Sequence, residues 1–260
     1  MGPSQPTRID PGASSAYARQ QKKNAALFFD SVEQLFLEQA GHYALPEGAK
    51  AYLRLYPSNL VPPIDLETEA KDLAFRGNLW PMGGVNPNIF DRNEFGGIVA
   101  KSIKEKQIHF FTQLFLNREI WGVDAQCLNA DCIVRHYPHM SGPYIANHVV
   151  QDRFVTALQN FLKFAELHLM LRPTLKVEVG LVGIKGYPIQ SGISNTNGKT
   201  FRDTLTWSCE ISSFEVPAWK ILAPFWEQIW ANCDMPRPAD DQADLVSRLS
   251  QGRLSQLLAR

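Results

Sequence analysis

The sequence predicts an α+β fold in which an antiparallel sheet is covered by a long helix and a tryptophan-rich helix. Three consecutive runs of β-branched and aromatic residues, between residues 96 and 128, are separated by breaks of hairpin length, which is typical of an antiparallel meander. The longest helical pattern, residues 144–170, follows this meander. Strands that cluster along the chain favour α+β over a doubly wound parallel sheet, in which strands and helices alternate.

The N-terminal part of the chain predicts an arm followed by mixed elements. Residues 1–24 are rich in Pro, Gly, Ser and Gln, and we expect a disordered arm there. Apolar residues at helical spacing predict a helix over residues 25–40. The segment AKAYLRLYPS alternates as a short strand does and is stopped by Pro57. A second helix is expected over residues 65–77, and the Gly, Pro and Asn of residues 79–97 predict a long loop.

The C-terminal half predicts two further strands and two helices. The segment TLKVEVGLVGIKGYPI reads as a strand, and TLTWSCEISSFEV reads as another with Leu205, Trp207, Cys209 and Ile211 on one face. The tryptophan-rich helix follows in KILAPFWEQIWANC, with Pro224 interrupting it early. We therefore expect one α+β domain over residues 25–234. Residues 235–260 are expected to form a C-terminal tail with a short polar helix.

Composition and charge exclude several functional classes. The chain has 26 basic and 26 acidic residues, and this balance argues against a dedicated nucleic-acid binder. Four cysteines in 260 residues do not make a disulfide scaffold. No apolar run is long enough to suggest a membrane span, and the first residues contain no apolar core of a secretory signal. These features predict a cytoplasmic protein that does not act at a membrane.

The densest group of metal-ligand residues is the stretch CLNADCIVRHYPH, which holds Cys127, Cys132, His136 and His139. Structural zinc sites use closely paired ligands, because a short turn must aim both at one ion, whereas these cysteines are five positions apart. The alternation of DCIVRHYPH instead predicts a strand that places Cys132 and His136 on one face. We therefore expect no cofactor, and zinc held by Cys132, His136 and His139 is the alternative.

Two nucleotide-related patterns fail in detail. The segment SGISNTNGKT ends like a phosphate-binding loop, but such a loop needs glycine at the position of Ile193 and a helix immediately after it. The residues that follow alternate like a strand, which predicts a hairpin loop between strands 175–184 and 204–215. The clustered carboxylates of two-metal enzymes and the G-x-S-x-G elbow of hydrolases are also missing from the sequence. No catalytic residue can be named from these patterns.

Two sets of side chains are candidates for binding macromolecules. A basic set on the edge of the meander is the candidate for nucleic-acid contact: Lys101, Lys104, Lys106 and Arg118. An aromatic set at near-helical spacing in the tryptophan-rich helix is the candidate for partner docking: Trp219, Trp226 and Trp230. An aromatic stripe of this kind usually belongs to the core, so docking applies only if part of the stripe is exposed.

The segments KAYLRLYPSNLVPPIDL and HFFTQLFLNREIWGVDAQCL resemble the region downstream of the Schlafen-like (AlbA-type) ATP-binding domain in bacterial proteins. The resemblance covers roughly residues 50–125: a strand, a linker with Gly, Trp and Pro, and a hairpin whose turn carries Asn117, Arg118, Glu119 and Ile120. It departs from the family pattern in placing Glu119 before the apolar residue. Residues 1–24 are too short to hold the ATP-binding domain itself. The resemblance therefore implies an accessory module and carries over no active-site residue.

Three hypotheses for function follow from these observations. The first is a non-catalytic accessory or sensor module of a bacterial protein that binds a partner protein or a small ligand. An AlbA-type ATP-binding domain is one such partner. The second is an enzyme acting on nucleic acid or nucleotide, with His136, His139 and Asp131 brought together only in space. The third is a nucleic-acid-binding module that uses the basic set on the meander edge.

Overall fold

A computed structural model describes most of the chain. The described residues are 45–59, 61–62, 64, 72–74, 79–84, 86–93, 96–104, 107–129, 143–190 and 198–250. The arm 1–24, the predicted helix 25–40 and most of the predicted helix 65–77 lie outside them. Within this part of the chain, no helix is long and apolar enough to cross a membrane.

The described residues include nine strands and three helices, and the short run 72–74 is also helical. The strands are β1 (Lys50–Pro57), β2 (Ile89–Asn93), β3 (Gly96–Lys104), β4 (Gln107–Phe115), β5 (Ile120–Asp124), β6 (Ile145–Ala146), β7 (Leu175–Val182), β8 (Ile189–Gln190) and β9 (Thr204–Ile211). The helices are α1 (Asn147–Leu167), α2 (Ala218–Ala231) and α3 (Asp241–Ser250). Strands and helices are segregated along much of the chain, so the predicted α+β class is confirmed.

Seven strands pair antiparallel into one sheet in the order β2-β3-β4-β5-β1-β7-β9. The predicted meander is β3, β4 and β5, in which Lys104 of β3 pairs with Gln107 of β4 and Leu114 of β4 pairs with Ile120 of β5. Although β1 comes first in the chain, it pairs with β5 on one side and β7 on the other. The short strands β6 and β8 pair parallel to each other outside this sheet.

The predicted loop over residues 79–97 was wrong at its end, where Ile89–Asn93 forms β2. This short strand pairs with β3, and the N–H of Asn88 donates to the carbonyl oxygen of Ala100 at 3.0 Å. The polar run DRN and the neighbouring glycines hid the strand, because partner pairing rather than local alternation specifies it. Gly96 at the start of β3 has a φ of 146°, and a Cβ there would overlap the Leu114 carbonyl, so this position requires glycine.

One face of the sheet carries the main core under α1 and α2. From the sheet, β1 contributes Leu53 and β7 contributes Val179, and both are completely buried. Gly122 lies directly under the ring of Phe161 from α1, since a Cβ there would come within 2.8 Å of that ring. The predicted apolar face of β9 (Leu205, Trp207, Cys209 and Ile211) belongs to the same core and is confirmed.

Helix α2 runs through Pro224 without interruption and buries most of its aromatic stripe. Trp226 and Trp230 have no exposed surface, and Trp226 packs edge-on against Phe154 of α1 with ring centroids 5.7 Å apart. The interpretation of Trp226 and Trp230 as docking residues is therefore wrong, because both indoles are in the core. Trp219, the second residue of the helix, is half-buried.

Candidate functional site

The second face of the sheet, opposite α1 and α2, carries a row of polar side chains. Directly paired residues of antiparallel strands point to the same face. The register places one such row across five strands, in the order Gln113, Trp121, Arg54, Glu178 and Ser208. We call this set the polar row. It crosses the middle of the sheet and ends at β9, where Ser208 is exposed.

Arg54 lies between two carboxylates at the centre of the polar row. Its Nη2 donates to Oε2 of Glu119 at 3.0 Å, and its Nη1 is 3.8 Å from Oε2 of Glu178. All three residues are buried, with Arg54 only 4% exposed and Glu119 completely buried. Glu119 lies next to β5 and Glu178 is on β7, so the guanidinium links the two strands that flank β1.

Aromatic side chains complete the surroundings of Arg54. The guanidinium carbon lies 4.1 Å from the ring centroid of Tyr56 and 5.4 Å from that of Trp121, distances at which a cation is attracted to a ring face. Trp121 also donates from Nε1 to Oε2 of Glu119 at 3.2 Å. The carboxylate of Glu119 is thus bonded twice, and the backbone N–H of the same residue donates to Oδ1 of Asn117 at 3.2 Å.

The two carboxylates differ in their electrostatic environment. Burial raises the pKa of the Glu178 carboxyl; the Arg54 guanidinium opposes this shift and the Glu119 carboxylate adds to it. Among the described residues, Oε1 of Glu178 and Oε1 of Glu119 accept no hydrogen bond. Glu119 therefore holds the main ion pair, while Glu178 is the weaker partner.

The contacts of this cluster fix Arg54 in place, because its guanidinium is held between two carboxylates and two ring faces. On the same face of the sheet, the hydroxyl groups of Tyr52 and Thr206 bond to each other at 3.0 Å. Burial raises the pKa of Tyr52 well above its usual range, so this phenol remains protonated.

Tyr52 covers the neighbouring row of the same face. Its ring lies across Gly180 of β7, where an added Cβ would come within 2.3 Å of a ring carbon. Only glycine permits this crossing, and the crossing carries the Tyr52 hydroxyl over β7 to Thr206 on β9. On this face Glu178 and Gly180 of β7 are therefore buried, while Thr204, Thr206, Ser208 and Glu210 of β9 are exposed.

Strand β9 is the last strand of the sheet, and no described strand pairs with its outer edge. In an antiparallel sheet, alternate residues of a strand bond to the neighbours on its two sides. The N–H of Ser58 donates to the carbonyl of Thr174, so the even-numbered residues of β7 bond to β1 and its odd-numbered residues bond to β9. By the same alternation, the N–H and C=O groups of Thr204, Thr206, Ser208 and Glu210 point away from the sheet.

A second polar cluster attaches α3 to the body of the protein. Buried Asp241 accepts hydrogen bonds from Nε2 of Gln151 at 2.8 Å, from Nε of Arg237 at 2.6 Å, and from the side chain of Asn147. Leu245 of α3 is completely buried. Every carboxylate oxygen of Asp241 thus has a partner within the protein, and the cluster serves to dock the helix on α1.

A shallow groove between α1 and the segment before α2 is the candidate for a small ligand. It is lined by Gln159, Leu162, Lys163, Glu166, Phe214, Glu215, Val216, Pro217 and Ala218. The groove is open to solvent, and its lining combines charged side chains of both signs with apolar side chains. Small-molecule sites are usually deeper and bring a few polar groups together.

The predicted metal residues Cys132, His136 and His139 lie outside the described residues, as does Asp131. The described end of the same stretch is fixed by Asp124, whose Oδ1 accepts the backbone N–H groups of Gln126 at 2.8 Å and Cys127 at 2.9 Å. Cys127 is buried. Within the described ranges, no three His, Cys, Asp or Glu side chains are grouped so that they could hold a metal ion.

The described members of the basic set lie at two ends of β4. Lys101 and Lys104 lie on β3, close to its turn into β4, and Lys106 lies outside the described residues. Arg118 lies in the β4–β5 turn at the other end of β4, roughly 30 Å away at the usual rise of a strand. Arg118 has a φ of 64°, and its Nη1 donates to the carbonyl oxygen of Leu169 at 2.7 Å. Arg118 therefore lies at the opposite end of β4 from Lys101 and Lys104, and nucleic-acid contact by the basic set stays a prediction.

Sequence reasoning missed both the ion pair at Arg54 and the open edge of β9. A signal for the ion pair was present, because Arg54 and Glu178 each interrupt the apolar pattern of a central strand. Glu119 gave no such signal, because it lies between β4 and β5, where a charged residue normally faces solvent. Comparisons with protein-family models, with curated proteins and with solved structures find no match to this chain.

Proposed function

We propose that this chain is a non-catalytic accessory module that binds a partner protein, and that it does so by accepting an extended segment of the partner as an additional strand beside β9. The observation that carries this proposal is the outer edge of β9. Its backbone N–H and C=O groups point outward at Thr204, Thr206, Ser208 and Glu210, and their side chains are exposed. Addition of a strand to such an edge is a recurring mode of peptide recognition, in which main-chain hydrogen bonds supply affinity.

The described polar clusters favour binding over catalysis. Arg54, Glu119 and Asp241 are each occupied by partners within the protein. The separation of Lys104 from Arg118 along β4 also favours a protein partner over nucleic acid, because it divides the basic set between two ends of the strand. The groove beside α1 is shallow and open, which makes it a poor site for a small ligand. The edge of β9, by contrast, presents backbone groups that a strand can pair with.

The resemblance to the region downstream of AlbA-type ATP-binding domains gives the first partner to test. On that basis the module belongs to a bacterial protein and docks such a domain, or a protein that contains one. The described cysteines, Cys127, Cys209 and Cys233, are free thiols, which fits a reducing cytoplasm.

Titration of the purified chain with a purified AlbA-type ATP-binding domain tests the partner. Hydrogen exchange then tests the surface. We expect the amides of Thr206 and Ser208 to exchange quickly in the dilute free chain and to become protected in the complex. The inward-facing amides of Leu205 and Trp207 should be protected in both states.

A matched pair of variants at position 208 separates edge binding from other modes. Ser208→Pro removes an outward N–H without removing a bond to β7, whereas Ser208→Ala keeps that N–H. The proposal predicts that only the proline variant loses binding. It is wrong if the amides of Thr206 and Ser208 are already protected in the free chain at every dilution, because the chain then covers its own edge.

A further inference from the structure

We infer that the strand added to β9 is β9 of a second copy of this chain, so that two sheets join edge to edge across a two-fold axis. This inference rests on the proposed strand addition and names the partner of that same edge. Each molecule encounters β9 of other copies at the concentration of the protein itself. The side-chain pattern of β9 is also compatible with antiparallel pairing to a second β9.

The direction of the backbone groups fixes which residues can face one another. Only even-numbered residues of β9 point their N–H and C=O groups outward, so they must pair with even-numbered residues of the other copy. In the register centred on Trp207, Thr206 pairs with Ser208 of the other copy, and Thr204 pairs with Glu210. Glu210 is the one charged residue in β9, and it faces a threonine. No like charges therefore lie opposite each other.

In the same register, side chains on the sheet face that packs against α1 and α2 become more buried. Trp207 and Cys209 are only half-buried in the single chain, although both pack against the main core. The pairing sets Trp207 beside the same residue of the other copy and Cys209 beside Leu205. Aromatic pairs across antiparallel strands are among the stabilising cross-strand contacts.

The strand also lacks the features that keep sheet edges apart. Edge strands that remain single are commonly short, carry lysine or proline, or are interrupted by a bulge. β9 is eight residues long, contains neither lysine nor proline, and keeps an unbroken register with β7 from Thr204 to Ile211. An edge with these properties is a template for another strand.

The oligomeric state of the wild-type chain provides the first test. Light scattering after size exclusion, over micromolar to near-millimolar protein, should show a dimer that dissociates on dilution. Ser208→Pro removes one N–H donor from each copy, so we expect the dimer dissociation constant to rise by at least roughly tenfold. Ser208→Ala should leave the constant unchanged. A proline variant that remains folded by circular dichroism and dimerises like the wild type overturns the inference.

Disulfide trapping provides a second test that does not depend on the proline variant. The register places the two copies of position 207 in a non-hydrogen-bonded pair, whose Cα atoms lie about 4.5 Å apart, within the range of a disulfide. Trp207→Cys should therefore cross-link two chains under oxidation, on a non-reducing gel. Thr204→Cys is the control, since it faces Glu210 and should not cross-link. Equal cross-linking of both variants, or of neither, overturns the register and with it the inference.

The two proposals fail in distinguishable ways. A wild-type chain that stays monomeric at all concentrations, while the amides of Thr206 and Ser208 exchange freely, overturns self-pairing and leaves the edge open to a different protein. Protection of these amides that persists in a diluted monomer overturns both proposals, because the edge is then covered by the chain itself.

Discussion

Replacing the two carboxylates beside Arg54 by the isosteric amide should have unequal effects on stability: Glu119→Gln should destabilise the fold, whereas Glu178→Gln should not. Glu119→Gln removes the charge from a group that accepts Nη2 of Arg54 at 3.0 Å and Nε1 of Trp121 at 3.2 Å. Glu178→Gln makes the same chemical change at a group that is 3.8 Å from Arg54. Both variants replace a glutamate by glutamine. The difference between their free energies of unfolding therefore reports only the environment of each carboxylate.

The magnitudes follow from the number and quality of the contacts. Hydrogen bonds to a charged group contribute roughly 1.5–3 kcal/mol each, and a buried pair costs about 3–5 kcal/mol when one partner is removed. Glu119→Gln keeps part of this bonding, so we expect a loss of about 2–4 kcal/mol in the free energy of unfolding. Burial raises the pKa of Glu178, which means that the fold disfavours its ionised form. Glu178→Gln should therefore be neutral or stabilising by up to about 1 kcal/mol.

Urea unfolding at pH 7, followed by tryptophan fluorescence and far-ultraviolet circular dichroism, measures both variants. Glu210→Gln is the control, because Glu210 is exposed and its replacement should change the free energy of unfolding by less than about 0.5 kcal/mol. If Glu178→Gln costs as much as Glu119→Gln, the two carboxylates share the guanidinium equally and the distinction between them is wrong.

Three further predictions concern pH, the core and α3. Burial raises the pKa of both Glu178 and Asp152 above the values in the unfolded chain. The stability that these groups contribute is therefore complete below the ordinary carboxyl pKa and is lost as the pH rises through the raised pKa. Urea unfolding across this pH range should show a smaller decline in the free energy of unfolding for Glu178→Gln than for the wild type. Trp226→Ala should cost about 3–5 kcal/mol by thermal or urea unfolding, whereas Trp219→Ala should cost less than half as much, since only Trp226 is fully buried. Asp241→Ala should detach α3 from α1, because Asp241 accepts the hydrogen bonds of Gln151 and Arg237. In hydrogen exchange, the amides of α3 should then exchange faster while those of β1 and β7 stay protected. Unchanged protection of α3 would contradict this role of Asp241.

Local periodicity predicted most of the secondary structure. The strands β3, β4 and β5 have β-branched and aromatic residues with hairpin-length breaks, and α1 has a broad apolar stripe. These signals lie within a few residues of each other, so they can be read without knowing the rest of the fold. The strand β2 could not be read in this way, because its residues Asp91, Arg92 and Asn93 resemble a loop until β3 pairs with them.

The candidate site depended on contacts between distant parts of the chain. Arg54 and Glu119 are 65 positions apart, and Tyr52 and Thr206 are 154 apart. A charged residue in a strand pattern can point to solvent or to a buried partner, and the sequence does not distinguish the two before the strand order is known. The expected docking role of Trp226 failed for a related reason, because helix α2 turns that side chain toward Phe154.

The order of the strands decides both the ion pair and the open edge. Because β1 lies between β5 and β7, Arg54 is placed where Glu119 and Glu178 reach it from opposite sides. On its other side β7 pairs with β9, which is the last of the described strands in this sheet. Glu119→Gln therefore weakens the contact between β5 and β1 in the middle of the sheet and spares the β7–β9 ladder. The dimerisation expected at β9 should then persist in that variant as long as the chain remains folded.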